Sequence, residues 1–169
     1  ADGALEIADI DGDGKNDVIV GSLDNYGYVL YANRTTTQST GLVYDIEVFD
    51  RGNGYNNTIA VIDSVGSAEG SLLLLDRYGN KICNSSDIGI SFSLGTGDLN
   101  NDGNKSELVI GSATGNADSG DNTTVYAYYG NCSLIWNRTI DTDLSGSGLD
   151  PVIAEIEAWN ITNDAGDEV

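Results

Sequence analysis

The sequence predicts an all-β protein, and three observations carry this prediction. An acidic string at residues 9–17, Asp-Ile-Asp-Gly-Asp-Gly-Lys-Asn-Asp, recurs in related form from Asp50, Asp98 and Asn160, at spacings of 41, 48 and 62 residues. The first three strings are each followed by a short apolar run, which is typical of strands. No segment shows helical periodicity over three turns. A repeat of roughly 40–50 residues made of short strands predicts the four-stranded antiparallel blades of a β-propeller.

The strands follow the same order in each repeat. Residues 5–10 alternate apolar and polar side chains, as a half-buried strand does, and the β-branched run 18–22 follows the acidic loop. Gly-Asn turns at 79–80 and 130–131 align the outer hairpins of the second and third repeats. The remaining predicted strands are 27–31, 43–49, 59–63, 71–76, 90–94, 108–112, 124–129, 134–139 and 152–158.

These strands divide the chain into repeats. We expect a first blade with a cation loop at 1–42, a second with a degenerate loop at 43–89, and a third with a cation loop at 90–150. Residues 151–169 would begin a truncated fourth blade. Because propellers have about four to eight blades, this segment predicts an incomplete ring. The remaining blades of the same protein, or neighbouring subunits, would complete it.

The first acidic loop predicts a cation site. Four carboxylates at alternating positions repel one another unless a cation lies among them or the loop is fully solvated. Gly14, at the sixth position, permits the turn that brings the ligands together. An all-oxygen ligand set favours Ca²⁺ over Mg²⁺. The expected ligands are the side chains of Asp9, Asp11, Asp13 and Asp17 and the backbone carbonyl of Lys15.

The other loops differ in their ligands. The loop from Asp50 has glycine at positions three and five, so no cation is expected there. In the third loop a one-residue insertion places Glu107, rather than Ser106, in the role of Asp17. Its expected ligands are Asp98, Asn100, Asp102, the carbonyl of Asn104, and Glu107. The fourth loop offers a weaker set of Asn160, Thr162, Asp164 and Glu168.

These motifs resemble the FG-GAP/VCBS repeats, the integrin-α-like β-propellers. Blades of that family carry Asp-x-Asp-x-Asp-Gly-x-x-Asp loops between their first two strands. The match is close in residues 7–22 and good in 97–112, and the strand-turn-strand at 125–136 is similar to the outer hairpin of such blades. The resemblance implies a Ca²⁺-stabilised propeller, typically extracellular, from adhesion receptors, surface proteins or non-catalytic domains attached to enzymes.

Composition excludes several classes of function. A formal net charge of −20 provides no basic footprint for nucleic acid, and no apolar run is long enough to insert in a membrane. The chain contains no histidine, so Ser-His-Asp and Cys-His catalysis within it are impossible. We predict no catalytic residues.

Modification motifs indicate an extracellular or cell-surface protein. Eight Asn-x-Ser/Thr triplets occur, a number that either reflects N-glycosylation or the abundance of these residues in β-turns. Triplets at Asn104 and Asn160 fall in the acidic loops. The candidate glycosylation sites are Asn33, Asn56, Asn84, Asn122, Asn131 and Asn137. Cys83 and Cys132 fall near neighbouring outer hairpins, but blades diverge at the rim, so the sequence leaves their pairing open.

The expected function is that of a non-catalytic, Ca²⁺-binding propeller segment serving adhesion, ligand binding or surface architecture. Its partner would be an extracellular protein or a glycan. Two alternatives stay open: a structural subunit of a glycosylated extracellular filament or surface layer, and a propeller domain of a polysaccharide-degrading enzyme.

Overall fold

The computed structural model describes residues 4–22, 24, 26–30, 35–51, 58–65, 69–86, 88–114, 122–140, 156 and 158. All secondary-structure elements in this part of the chain are β-strands, which confirms the all-β prediction. The strands are β1 (Leu5–Ala8), β2 (Asp17–Gly21), β3 (Tyr26–Leu30), β4 (Thr35–Ser39), β5 (Leu42–Phe49), β6 (Thr58–Val65), β7 (Glu69–Leu75), β8 (Lys81–Ser85), β9 (Ile90–Gly97), β10 (Glu107–Thr114), β11 (Asn122–Tyr129) and β12 (Leu134–Ile140).

These strands form three antiparallel sheets of four, and neighbours within each sheet are consecutive in the chain. The first sheet contains β1 to β4, the second β5 to β8, and the third β9 to β12. The sequence predicted ten of these strands to within three residues at each end, and left β4 and β8 unplaced. The strand predicted at 152–158 and the loop from Asn160 lie outside the described residues, apart from 156 and 158.

The second sheet is buried on both faces, which accounts for its continuous apolar runs. One face packs on the first sheet and the other on the third, so successive residues of β6 and β7 enter different cores. The core with the first sheet contains Ile59, Val61, Leu73 and Leu75 together with Ile10, Ile19 and Val29. The core with the third sheet contains Ala60, Ile62, Leu72 and Leu74 together with Leu94, Leu108 and Ile110.

The sheets are stacked in chain order. Strand β5 contacts β1, β2 and β3, and β9 contacts β5, β6 and β7, so each later sheet places its first strand against the sheet before it. Glycines occupy the points of closest approach. A Cβ at Gly21 would collide with the Val43 side chain, and one at Gly95 would lie 2.6 Å from the carbonyl oxygen of Ile156. Only glycine fits at these contacts.

A disulfide joins the second and third sheets. Cys83 of β8 is bonded to Cys132 in the turn between β11 and β12, with a Cα–Cα distance of 6.1 Å. That distance lies in the usual range for disulfides. β8 and the β11–β12 turn therefore lie within disulfide reach of each other, which settles the pairing that the sequence left open.

The outer hairpins align differently from the prediction. In the second sheet Gly79 donates to the Asp76 carbonyl and has φ +83, and in the third sheet Cys132 donates to the Tyr129 carbonyl and has φ +65. Cys132, not Gly130, therefore corresponds to Gly79, so the Gly-Asn alignment was wrong by two residues. The reason is that the turn needs one left-handed residue, and in the third sheet a cysteine held by its disulfide takes that conformation instead of glycine.

Asp45 links the same two sheets through its carboxylate. It follows a bulge in β5, and its Oδ2 accepts the Leu94 N–H of β9 at 2.9 Å while Oδ1 accepts the Ile46 N–H at 2.9 Å. Burial raises the pKa of Asp45 above its usual value, and the nearby Glu6 carboxylate raises it further. The ionised form of Asp45 is therefore disfavoured in the folded chain.

Removing the disulfide should destabilise the chain. Closing a loop of this sequence separation, 49 residues, contributes about 4 kcal/mol in the chain-entropy model. We expect the Cys83→Ala/Cys132→Ala variant to lose stability of this order in urea unfolding. The Cys83→Ala/Cys132→Gly variant should lose about 1 kcal/mol less, because glycine removes the cost of a left-handed residue. Equal losses in both variants would contradict the conformation of Cys132.

Replacing Asp45 should change the pH dependence of stability. A folded-state pKa above the unfolded value means that ionisation weakens the folded state, so this cost appears as pH rises and disappears below both pKa values. Asp45→Asn cannot ionise, so its stability relative to the unmodified chain should improve as pH rises through the unfolded pKa of about 4, and should level off once Asp45 is ionised in the folded chain as well. Thermal unfolding across this range measures the difference. Glu6→Gln should reduce the effect, and a difference that is independent of pH would refute it.

Candidate metal centre

The first acidic loop joins β1 to β2. β1 ends at Ala8 and β2 begins at Asp17, and these two residues are paired in the sheet. Between them Gly12 and Gly14 have φ values of +79 and +84, with no atom near enough to crowd a Cβ. Glycine is favoured at both positions by the left-handed backbone rather than by lack of space.

Asp9, the first residue of the loop, organises its backbone. Its Oδ1 accepts the N–H groups of Gly12 at 2.8 Å and Asp13 at 3.1 Å, and its Oδ2 accepts the Gly14 N–H at 2.9 Å. At the far end, Asp17 Oδ2 accepts the Ile10 N–H at 3.1 Å. These bonds fold the loop back on itself before any ligand is considered.

Three carboxylates converge in this loop. Asp9, Asp11 and Asp17 each bring an oxygen to within 4.8 Å of the others, and Asp17 is buried, with 3% of its surface exposed. Unit charges at that separation repel by roughly 1 to 3 kcal/mol per pair between the dielectric of water and that of a protein surface. Backbone N–H donors offset part of this cost. A hard divalent cation would neutralise the remainder and would be held by oxygens alone.

Asp13, which the sequence placed in the same ligand set, lies outside this group of three carboxylates. The Lys15 ammonium lies 3.6 Å from Asp13 Oδ2, and Asp13 Oδ1 accepts the Lys15 N–H at 2.8 Å. Both side chains are exposed, so this ion pair contributes little to stability. A cation that recruited Asp13 would have to replace the pairing with Lys15.

The third acidic loop, between β9 and β10, repeats the hydrogen-bond pattern of the first. Asp98 Oδ1 accepts the Asp102 N–H at 3.0 Å, and its Oδ2 accepts the Gly103 N–H at 2.8 Å. Glu107 Oε2 accepts the Leu99 N–H at 3.1 Å, as Asp17 accepts that of Ile10. Glu107 also begins its strand and pairs with the last residue of the preceding one, so it is the structural equivalent of Asp17.

Two features of the loops were not identified from the sequence. The fourth position is left-handed in both, with Gly12 at φ +79 and Asn101 at φ +64. Glycine and asparagine are the residues that adopt this conformation most readily, so their presence was the available signal. The second is the hydrogen bond that the backbone N–H of Ile10 or Leu99 donates to the acid at the end of the loop. A backbone N–H is present in every residue other than proline, so the sequence does not indicate this bond.

The two loops differ most at the third position. Asp11 Oδ1 accepts the Asp13 N–H at 3.2 Å and its second oxygen remains a negative acceptor. Asn100 Oδ1 accepts the equivalent Asp102 N–H at 2.9 Å, while its Nδ2 donates to Asp102 Oδ2 and Glu107 Oε1. The amide thus places hydrogens where a cation would need an oxygen. In the third loop the neutral Asn100 amide therefore bridges two acids, Asp102 and Glu107, by hydrogen bonds.

Burial also distinguishes the acids of the third loop. Glu107 is 1% exposed, and its burial raises its pKa, although Ser106 Oγ donates to Oε1 at 2.7 Å. The Asn104 N–H, which donates to Asp102 Oδ1, holds the pKa of Asp102 below its usual value. A carboxylate like Glu107, removed from water, favours a positive neighbour.

The structure describes some of the remaining predicted sites and not others. Asp50 of the second loop is exposed, but residues 52–57 and the whole fourth loop, with Asn160, Thr162, Asp164 and Glu168, lie outside the described part. Asn84, Asn104, Asn131 and Asn137 are exposed. Asn122 begins β11, and Asn33 and Asn56 also fall outside the description.

An open cleft of about 400 Å³ lies beside the third loop. Its lining includes Asn104 and Lys105 of the third loop and Asp50, the residue that follows β5. The cleft therefore brings the start of the second loop next to the third.

No known family model matches the chain, and a search of curated proteins also finds no match. The likeness to FG-GAP/VCBS repeats consequently rests on the loop residues and on the order of the strands.

A reciprocal exchange at the third position should separate the two loops. Asp11→Asn keeps the oxygen that accepts the Asp13 N–H and removes the second carboxylate oxygen, so it should weaken Ca²⁺ binding at the first loop by about tenfold or more. Asn100→Asp should strengthen binding at the third loop. Isothermal titration of both variants measures these changes. Unaltered binding in Asp11→Asn would contradict the assignment of Asp11 as a ligand.

Proposed function

We propose that the chain is a non-catalytic, Ca²⁺-binding segment of a β-propeller in a secreted or cell-surface protein, serving adhesion, ligand binding or surface architecture. The observation that carries this proposal is the convergence of Asp9, Asp11 and Asp17 on one point of a loop that backbone N–H groups already hold in shape. The ligands are oxygens only, which favours Ca²⁺.

The role of the cation would be structural. It would neutralise the acids in the turn between the first and second strands of a blade, and so fix the register in which Ala8 pairs with Asp17. The third loop, with the same hydrogen bonds and one carboxylate fewer at its third position, would bind more weakly. This arrangement makes the metal part of the scaffold rather than of a reaction.

The order and packing of the sheets support the propeller. Each sheet is a four-stranded meander, each packs face to face on the next, and the first strands β5 and β9 contact the sheets before them. Radial repetition of such sheets is the architecture of propeller blades. The same order and packing of the sheets support the proposal that the chain is related to the FG-GAP/VCBS repeats.

The extracellular location is supported by the chemistry of the outer strands. Cys83 and Cys132 form a disulfide, a bond that persists in oxidising compartments. Asn84, Asn131 and Asn137, each within an Asn-x-Ser/Thr triplet, are exposed. The described residues include no helix of the length and hydropathy that a membrane span requires.

A structural subunit of a filament or surface layer is the second candidate, and it is motivated by an uncovered apolar face that a neighbouring copy could occupy. The first sheet exposes Leu5 and Ile7, at 56% and 55%, on the face opposite its core. Leu108 and Ile110 occupy the equivalent face of the third sheet and are fully buried against the second. Another sheet, from the rest of a ring or from a neighbouring copy, would cover this surface.

Thermal unfolding in EDTA and across a Ca²⁺ titration tests the leading proposal. Saturation at a hundredfold excess over Kd stabilises the folded state by about 2.7 kcal/mol, which corresponds to roughly 5 to 10 °C for a chain of this length. We expect this rise for the unmodified chain and a smaller one for Asp17→Asn.

Magnesium and sodium chloride at matched ionic strength are the controls, because a chain of charge −20 is stabilised by screening alone. An equal rise with all three salts would attribute the effect to screening. No rise with Ca²⁺ would overturn the proposal.

A further inference from the structure

Two outer strands, β8 and β12, are the last strands of their sheets among the described residues. β8 pairs only with β7 and β12 only with β11 in the part of the chain described, so each presents unpaired backbone groups on its outer side. Edges of this kind promote association with other strands unless charge, proline, a bulge or a covering group prevents it.

These two edges also carry apolar side chains. Ile82 of β8 is 38% exposed, and Leu134 and Ile140 of β12 are 48% and 47% exposed. Each edge has one protective cationic residue, Lys81 on β8 and Arg138 on β12, and the Arg138 guanidinium donates to the Asn137 carbonyl at 2.9 Å. The combination of an open edge and exposed apolar residues is one that natural sheets usually protect.

Glycosylation motifs coincide with these strands. Asn84 lies within β8 and Asn137 within β12, and both side chains are exposed. The triplet of Asn33 ends at Thr35, the first residue of β4, which is the outer strand of the first sheet. Every outer strand thus contains or adjoins at least one Asn-x-Ser/Thr triplet.

We propose that N-linked glycans on Asn84 and Asn137 shield the outer edges of the second and third sheets against pairing with other chains. The glycan would come from a lipid-linked oligosaccharide diphosphate. The asparagine Nδ2 attacks the anomeric carbon, the bond from that carbon to the phosphate oxygen breaks, the lipid diphosphate leaves and Nδ2 loses one proton. A bulky hydrated group on an edge strand prevents a second strand from approaching within hydrogen-bond distance.

This inference requires the extracellular route of the proposed function but not its cation sites. A chain of charge −20 repels its own copies at low salt, so shielding matters most where that charge is screened. Association should therefore be measured at about 0.5 M NaCl, where the Debye length is about 4 Å.

The first test is mass-spectrometric mapping of the full chain secreted from a host that performs N-glycosylation. We expect Asn84 and Asn137 to be modified. Unmodified asparagine at both positions would overturn the proposal, whatever the outcome of the Ca²⁺ titration.

The second test measures association by sedimentation. Asn84→Gln/Asn137→Gln should lower the dissociation constant for self-association by about tenfold or more at high salt. Ser86→Ala/Thr139→Ala removes the same triplets through other residues and should behave alike, and Ser86→Thr/Thr139→Ser preserves them and should remain monomeric. Asn131→Gln, in the turn rather than on an edge strand, is the matched control.

A rescue distinguishes edge pairing from a general loss of solubility. Ile82→Lys/Leu134→Lys, added to the glycan-free double variant, should restore the monomer because charge on an edge also prevents pairing. Association that persists in the rescue, or that appears equally in Asn131→Gln, would overturn the proposal. So would a glycan-free double variant that remains monomeric.

Discussion

The fold depends on the burial of one sheet between two others. Because β6 and β7 enter a core on each face, their side chains must be apolar at successive rather than alternate positions. Close packing also requires glycine at two points: in β2, where a Cβ at Gly21 would collide with the Val43 side chain, and in β9, where a Cβ at Gly95 would collide with the Ile156 carbonyl oxygen. Polar function is thereby confined to the ends of the sheets and to their outer strands.

The acidic loops use the register of the sheets. In both described loops the last residue of the first strand pairs with an acid that begins the second, Asp17 or Glu107. The carboxylate of that acid accepts the N–H of the second loop residue, Ile10 or Leu99. The carboxylate of the first loop residue, Asp9 or Asp98, accepts two or three N–H groups from the middle of the loop. The sheet therefore fixes both ends of the ligand set, and a cation would have only the middle of the loop to order.

The sequence predicted the sheets well because apolar runs and a repeated loop are direct signals of strands. It could not predict which partner each face would find, since the same run suits one core or two. It aligned the outer hairpins by a Gly-Asn dipeptide, whereas the turn is defined by a left-handed residue that is Gly79 in one sheet and Cys132 in the other. In the first loop the acids were identified, but the competition of Lys15 for Asp13 depends on side-chain conformation that residue spacing does not specify.

The third position of the two described loops shows how a turn can leave an oxygen available to a cation or leave none. At the β7–β8 hairpin, Asp76 Oδ1 accepts the backbone N–H groups of Tyr78 and Asn80, and Oδ2 accepts the side-chain amide of Asn80. Both carboxylate oxygens are therefore used within the turn. Asn100 has a single side-chain oxygen, and that oxygen accepts the Asp102 N–H. Asp11 makes the same turn bond with one oxygen and keeps the other. At the third position an aspartate therefore offers a cation an oxygen that an asparagine does not, because the backbone N–H takes the first oxygen and only a carboxylate has a second.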